Sequence, residues 1–152
     1  MDFMKRDGPR PHVQSLFERT VLDLNNVACQ KMRSGNIDHA IDLLRRAQYL
    51  CSDGVGTVWF TTEHRCLAAS VMTKNNLACV HRQRGQYTEA LELLFSALSS
   101  EKLLQNVNAL RNFQGEAEHL VKLAPNPAGT HLNMCAVLSK LGQHQSAMEH
   151  AR

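Results

Sequence analysis

The sequence is poor in most of the features that announce a special class of protein. Aromatic residues make up 5% of its 152 residues, and there are only four prolines and eight glycines. A collagen-like, low-complexity or wholly disordered chain is thereby excluded, since 43% of the residues are apolar. No apolar run approaches the ~18 residues of a membrane helix. The opening stretch MDFMKRDGPRPH lacks the apolar core of a secretory signal. Charge of one sign is also missing: 17 Lys and Arg against 14 Asp and Glu leave a net +3, spread along the chain, which gives no footprint for nucleic acid. Five cysteines, an odd number, are widely spaced with no C-x-x-C; they read as reduced, buried, small apolar residues. Nor is there a G-x-S-x-G, a phosphate-binding glycine loop, a G-x-G-x-x-G or an H-E-x-x-H. These absences set the expectations of a soluble, cytoplasmic protein without catalytic activity, membrane insertion or nucleic-acid partner.

What is present is helical periodicity. Leu16, Phe17, Val21, Leu24, Val27 and Ala28 recur at steps of three or four, and Ile37, Ala40, Ile41, Leu44 and Ala47 repeat the pattern after Gly35. Only Val55–Phe60 reads as a short strand. Residues 1–12, with Gly8, Pro9 and Pro11, read as a flexible tail ahead of a helical domain over 13–152. The fold class is all-α.

The helical pattern also repeats. LNNVACQKMRSGNIDHAIDLLRRA (24–47), KNNLACVHRQRGQYTEALELLFSA (74–97) and HLNMCAVLSKLGQHQSAMEHA (131–151) align around Gly35, Gly85 and Gly142. The glycine suits a tight turn between antiparallel helices. Ala28, Ala78 and Cys135, seven residues before it, and Ala40, Ala90 and Ala147, five after, keep the helices close. Val27, Leu77, Met134, Leu44 and Leu94 are expected to fill the space between them. A hairpin of this kind cannot bury its apolar face alone, so copies must stack.

The pattern resembles the tetratricopeptide repeat (TPR). The resemblance implies a superhelix of three helical hairpins, at about 21–50, 71–104 and 128–152. The glycines lie 50 and 57 residues apart instead of the usual ~34, so 51–66 and 99–127 are insertions or helix extensions. In the second, the stripe Leu110, Phe113, Ala117, Leu120, Val121 and Ala124 predicts an added helix or a longer one from Tyr87. Wide spacing and the L-N-N-[VL]-A run look most like the kinesin light chain and LGN-like subclass.

In a stack of hairpins the first helices line the inner face. Asn26, Asn76 and Asn133 share one position, nine residues before each glycine, with Asn25 and Asn75 beside two of them. An asparagine can bridge the N–H and C=O of an extended peptide, and the resembled subclass uses asparagine here for peptide contact. The alternative is that these residues brace neighbouring helices. Arg33, Arg82 and Lys140, near the turn end, either attract a carboxylate or are solvated charges matched to helix C-termini. The Lys/Asn/Asn/Lys/Arg clamp by which some TPR domains hold acidic chaperone tails is not present, since Asn25, Cys29, Gly129 and Asn133 stand in four of its places. His131 and Cys135 have ligand-like spacing without a second pair, so no metal or other cofactor is expected. Trp59 and Phe60 either anchor a partner or pack an inserted segment.

The resemblance thus implies a non-catalytic adaptor that binds an extended peptide segment of a protein partner in its concave groove. An architectural subunit of a cytoskeletal, ciliary or trafficking assembly, held by its edges and cytoskeleton-associated, is the alternative. No capping helix follows the third hairpin, so the natural chain is expected to continue beyond Arg152 or to self-associate through this C-terminal edge.

Overall fold

The computed structural model describes residues 10–52, 54–60, 63–111, 127–142, 148, 150 and 151. These are helical throughout, without a strand among them: α1 (Pro11–Arg33), α2 (Ile37–Leu50), α3 (Gly56–Trp59), α4 (Glu63–Gln83), α5 (Tyr87–Arg111) and α6 (Pro127–Lys140). They form antiparallel hairpins, α1 with α2 and α4 with α5; α2 packs on α4 and α5 on α6. This is a TPR-like superhelix. None of the helices is long and apolar enough to cross a membrane.

The turns after α1 and α4 are built the same way, and α6 is followed by a glycine of like conformation. Gly35, Gly85 and Gly142 have φ of 82°, 74° and 78°. A Cβ on any of them would meet nothing within 4 Å, so the backbone conformation, and not lack of room, requires glycine. At the first turn the N–H of Asn36 bonds the carbonyl of Lys31 at 2.9 Å and that of Gly35 bonds Met32 at 3.1 Å, satisfying the carbonyls left open by a helix end. Gln86 to His81 (2.8 Å) and Gly85 to Arg82 (3.0 Å) repeat both bonds. Asn36 then caps α2 by accepting from the N–H of His39. α1 opens on Pro11, whose missing N–H costs nothing in a first turn; the helix therefore starts two residues before the apolar pattern does.

The core is a series of clusters that straddle the hairpin boundaries, as expected where each unit touches only its neighbours. Ala28, Ala40, Ile41 and Leu44 of the first hairpin enclose Leu77 and Val80 of the second. Ala78, Ala90 and Leu94 of the second enclose Met134 and Val137 of the third. Ala147 and the stripe from Phe113 to Ala124 lie outside the described residues; the long α5 carries the second hairpin to Arg111.

Two expectations are corrected. Val27, in the position of buried Leu77 and Met134, is 38% exposed. In the later repeats this position inserts into the preceding hairpin, and among the described residues no hairpin precedes α1. Its neighbours on that edge suit exposure: charged Asp23 stands in the place of Thr73 and Gln30 in that of Val80. The Val55–Phe60 segment is helical, not extended, around α3. Phe17 receives both its aromatics, Trp59 stacked at 5.7 Å and Phe60 edge-on at 5.4 Å. Gly56 fits because a Cβ there would lie 2.5 Å from the sulfur of Cys66 and 3.1 Å from the backbone of Cys51.

Candidate functional site

The first helices α1, α4 and α6 stand in a row, and their paired asparagines make a hydrogen-bond ladder across both hairpin boundaries. Asn25 is almost wholly buried. Its side-chain amide donates to the carbonyl of Val21 and to the hydroxyl of Thr73, each at 3.0 Å, and its own carbonyl accepts from Asn76 at 2.9 Å. One repeat on, Asn75 donates to the carbonyl of Val71 (3.1 Å) and the hydroxyl of Thr130 (2.9 Å), and accepts from Asn133 (3.1 Å). The register is identical: Asn25 and Asn75 precede their glycines by ten residues, Asn76 and Asn133 by nine, Thr73 and Thr130 by twelve. A buried amide with all these bonds stays satisfied inside a helix that would otherwise disfavour asparagine.

The ladder sorts the candidate residues. Asn25 and Asn75 are braces. Asn76 and Asn133 each spend one amide hydrogen on the ladder and remain half-exposed. Asn133 also accepts from the thiol of Cys79, 3.7 Å away. Asn26, at the outer end of the row, is exposed and has no side-chain hydrogen bond among the described residues. Sequence reasoning missed Thr73 and Thr130, although threonine twelve residues before two of the three glycines was a visible signal.

Arg33 and Lys140, both exposed, stand two residues before their glycines; Arg82, half-buried, stands three before. The three basic groups therefore do not share one helix face. Arg33 and Arg82 lie close enough to Cys29 and Cys79 to favour thiolates there, but burial acts more strongly and pushes both thiols up. Cys51 is pushed up to about 12 by burial and by Cys66. These sulfurs are protonated at neutral pH and are poor nucleophiles.

Behind the ladder the two boundaries diverge. Thr130 donates to the carboxylate of Glu101, whereas Thr73 donates to the carbonyl of Ala69 at 2.8 Å. Burial pushes the Glu101 carboxyl up, opposed by the Thr130 hydroxyl and by His131. His131 in turn stacks on His150, their Nδ1 atoms 3.0 Å apart. No group of three His, Cys, Asp or Glu side chains among the described residues could hold a metal ion.

The family model described as tetratricopeptide repeat matches residues 71–104, which is α4 from Val71 and α5 to Leu104. No curated protein and no solved structure gives a match.

Proposed function

We infer a TPR-type protein from the match to the tetratricopeptide repeat over the second hairpin; repeats of this type generally mediate contact between proteins. We propose that the chain is a non-catalytic, cytoplasmic adaptor whose row of first helices, α1, α4 and α6, holds an extended segment of a partner protein. The observation that carries this reading is the register of Asn26, Asn76 and Asn133. The ladder fixes the spacing of the last two while leaving each a second amide hydrogen, and Asn26 keeps its whole amide for a ligand. An extended chain offers N–H and C=O groups in alternation, which such amides can meet. Arg33, Arg82 and Lys140 add a modest preference for acidic ligands. The widened spacing and the L-N-N-[VL]-A run support a place in the kinesin light chain and LGN-like subclass.

A second reading, an architectural subunit held by its edges or self-associating through the last hairpin, is favoured by one observation. Leu132, Leu141 and Met148 are exposed there, Leu132 to 64%, and Leu132 occupies the place of Asn25 and Asn75.

Affinity capture from lysate with mass spectrometry separates the two. The wild type is compared with Asn26→Ala/Arg33→Ala, which touches no ladder bond, and with Leu132→Ser/Met148→Ser. The groove reading expects the first variant to lose a dominant partner while its melting temperature stays unchanged. Retention of every partner by that variant, with loss in the second, transfers the function to the edge.

A further inference from the structure

A second binding surface lies away from the asparagine row, in the seam between α1 and α2. Thr20 and Leu24 on α1 and Arg45, Arg46, Tyr49 and Leu50 on α2 line an open groove of about 570 Å³. Tyr49 is 66% exposed. Leu24 and Leu50 form its floor, resting on the cluster around Val21 and Ala47.

The second hairpin shows that the framework does not need Leu24, Tyr49 or Leu50 to be apolar. Fifty residues on, Lys74, Ser99 and Ser100 take the places of Leu24, Tyr49 and Leu50, and Lys74 reaches across the seam to Ser100, 3.4 Å away. The same seam is bridged by Lys74 and Ser100 in the second repeat, with an exposed Phe95 in the place of Arg45, and is lined by Leu24, Tyr49 and Leu50 beside two arginines in the first. A solvent-facing Tyr49 beside half-buried Leu24 and Leu50, at positions that the second hairpin fills with polar residues, is the mark of a surface that meets a partner.

The shape and charge of the groove define that partner. Its walls are two antiparallel helices, and the ridges of a third helix fit such a seam, as those of α4 do on another side of the same pair. Two arginines line it and no acidic residue does; neither arginine pairs with a carboxylate among the described residues. We propose that this groove docks an amphipathic helix of a partner protein, its apolar stripe on Leu24, Tyr49 and Leu50 and its Asp or Glu residues against Arg45 and Arg46. The proposal stands independently of the peptide site on the asparagine row.

The test uses a fluorescein-labelled synthetic helix with leucines at i, i+4 and i+7 flanked by glutamates, and its lysine counterpart, read by fluorescence anisotropy. The glutamate peptide is expected to bind saturably, more weakly at high salt, and the lysine peptide not to bind. Leu24→Lys/Tyr49→Ser/Leu50→Ser installs the residues of the second hairpin, and Arg45→Glu/Arg46→Glu leaves the floor intact. Each should weaken binding at least about tenfold with helicity retained, while Asn26→Ala should not change it. Absence of saturable binding to the wild type, equal binding by either variant, or equal binding of the lysine peptide overturns the proposal. So does a dimer in sedimentation velocity that Tyr49→Ser dissolves, which would assign the groove to a second copy.

Discussion

The two hairpin boundaries are joined by the same ladder and surrounded by different chemistry. Between the first and second hairpins, Asn25 is almost wholly buried and Thr73 turns its hydroxyl back onto its own helix, beside a thiol that stays protonated. Between the second and third, Asn75 is half-buried and Thr130 bonds the Glu101 carboxylate, which desolvation disfavours. The group that takes the ladder threonine's proton is therefore a neutral backbone carbonyl at the first junction and an ionisable carboxylate at the second. Both junctions keep the ladder, and what backs it differs.

That contrast can be broken at several points. The largest effect is expected from Asn25→Ala, which removes three side-chain bonds at an almost wholly buried site and leaves Thr73 only its own bond to the Ala69 carbonyl. Denaturant unfolding should show a loss of about 2–4 kcal/mol. Asn75→Ala, half-exposed, should cost about half as much by the same ladder logic. Equal losses would mean that burial does not grade the two junctions. Gly56→Ala tests the first junction from another side. Its methyl must displace Cys66 or the backbone of Cys51, and thermal melting should report about 1–3 kcal/mol.

Glu101 distinguishes the second junction by pH. Its carboxyl is raised in the folded state, so the stability it contributes is fully present below the ordinary carboxylate pKa and is lost as pH rises through the raised value. Glu101→Gln keeps an acceptor for Thr130 without the charge. Stability measured across the mildly acidic range should lose that decline, and at neutral pH the variant should equal or exceed the wild type by up to about 1 kcal/mol. The smallest effect is expected at Arg84 and Asp38, which pair across the first boundary with Asp38 88% exposed. Arg84→Ala should change stability by less than about 0.5 kcal/mol, so crossing a boundary does not by itself confer weight.

Much of the hairpin frame was legible because its requirements are local. A positive φ after a helix demands glycine, and close helices demand alanine, so Gly35, Gly85, Ala28, Ala78, Ala40 and Ala90 were readable from spacing alone. The residues that were misread depend on what lies across a boundary. Val27 has the same type and register as Leu77, yet among the described residues no hairpin precedes α1 for it to enter. The β-branched and aromatic run at Val55–Phe60 suggested a strand because Phe17, nearly forty residues earlier, was not visible as its packing partner. The asparagines were recognised as special, but a peptide-reading and a bracing asparagine look alike in sequence. Only the partners Thr73 and Thr130 separate Asn25 and Asn75 from Asn26, and the groove between α1 and α2 emerges only when the two hairpins are superposed on their shared register.

The most direct measurement is the unfolding free energy of three single variants, Asn26→Ala, Asn76→Ala and Asn133→Ala, which occupy one position in the repeat. The ladder predicts that Asn76→Ala and Asn133→Ala each lose about 1–2 kcal/mol while Asn26→Ala loses nothing measurable, leaving its amide for a ligand. Equal losses at all three positions would contradict the account, because Asn26 would then be a brace like the others and the row would have no free end.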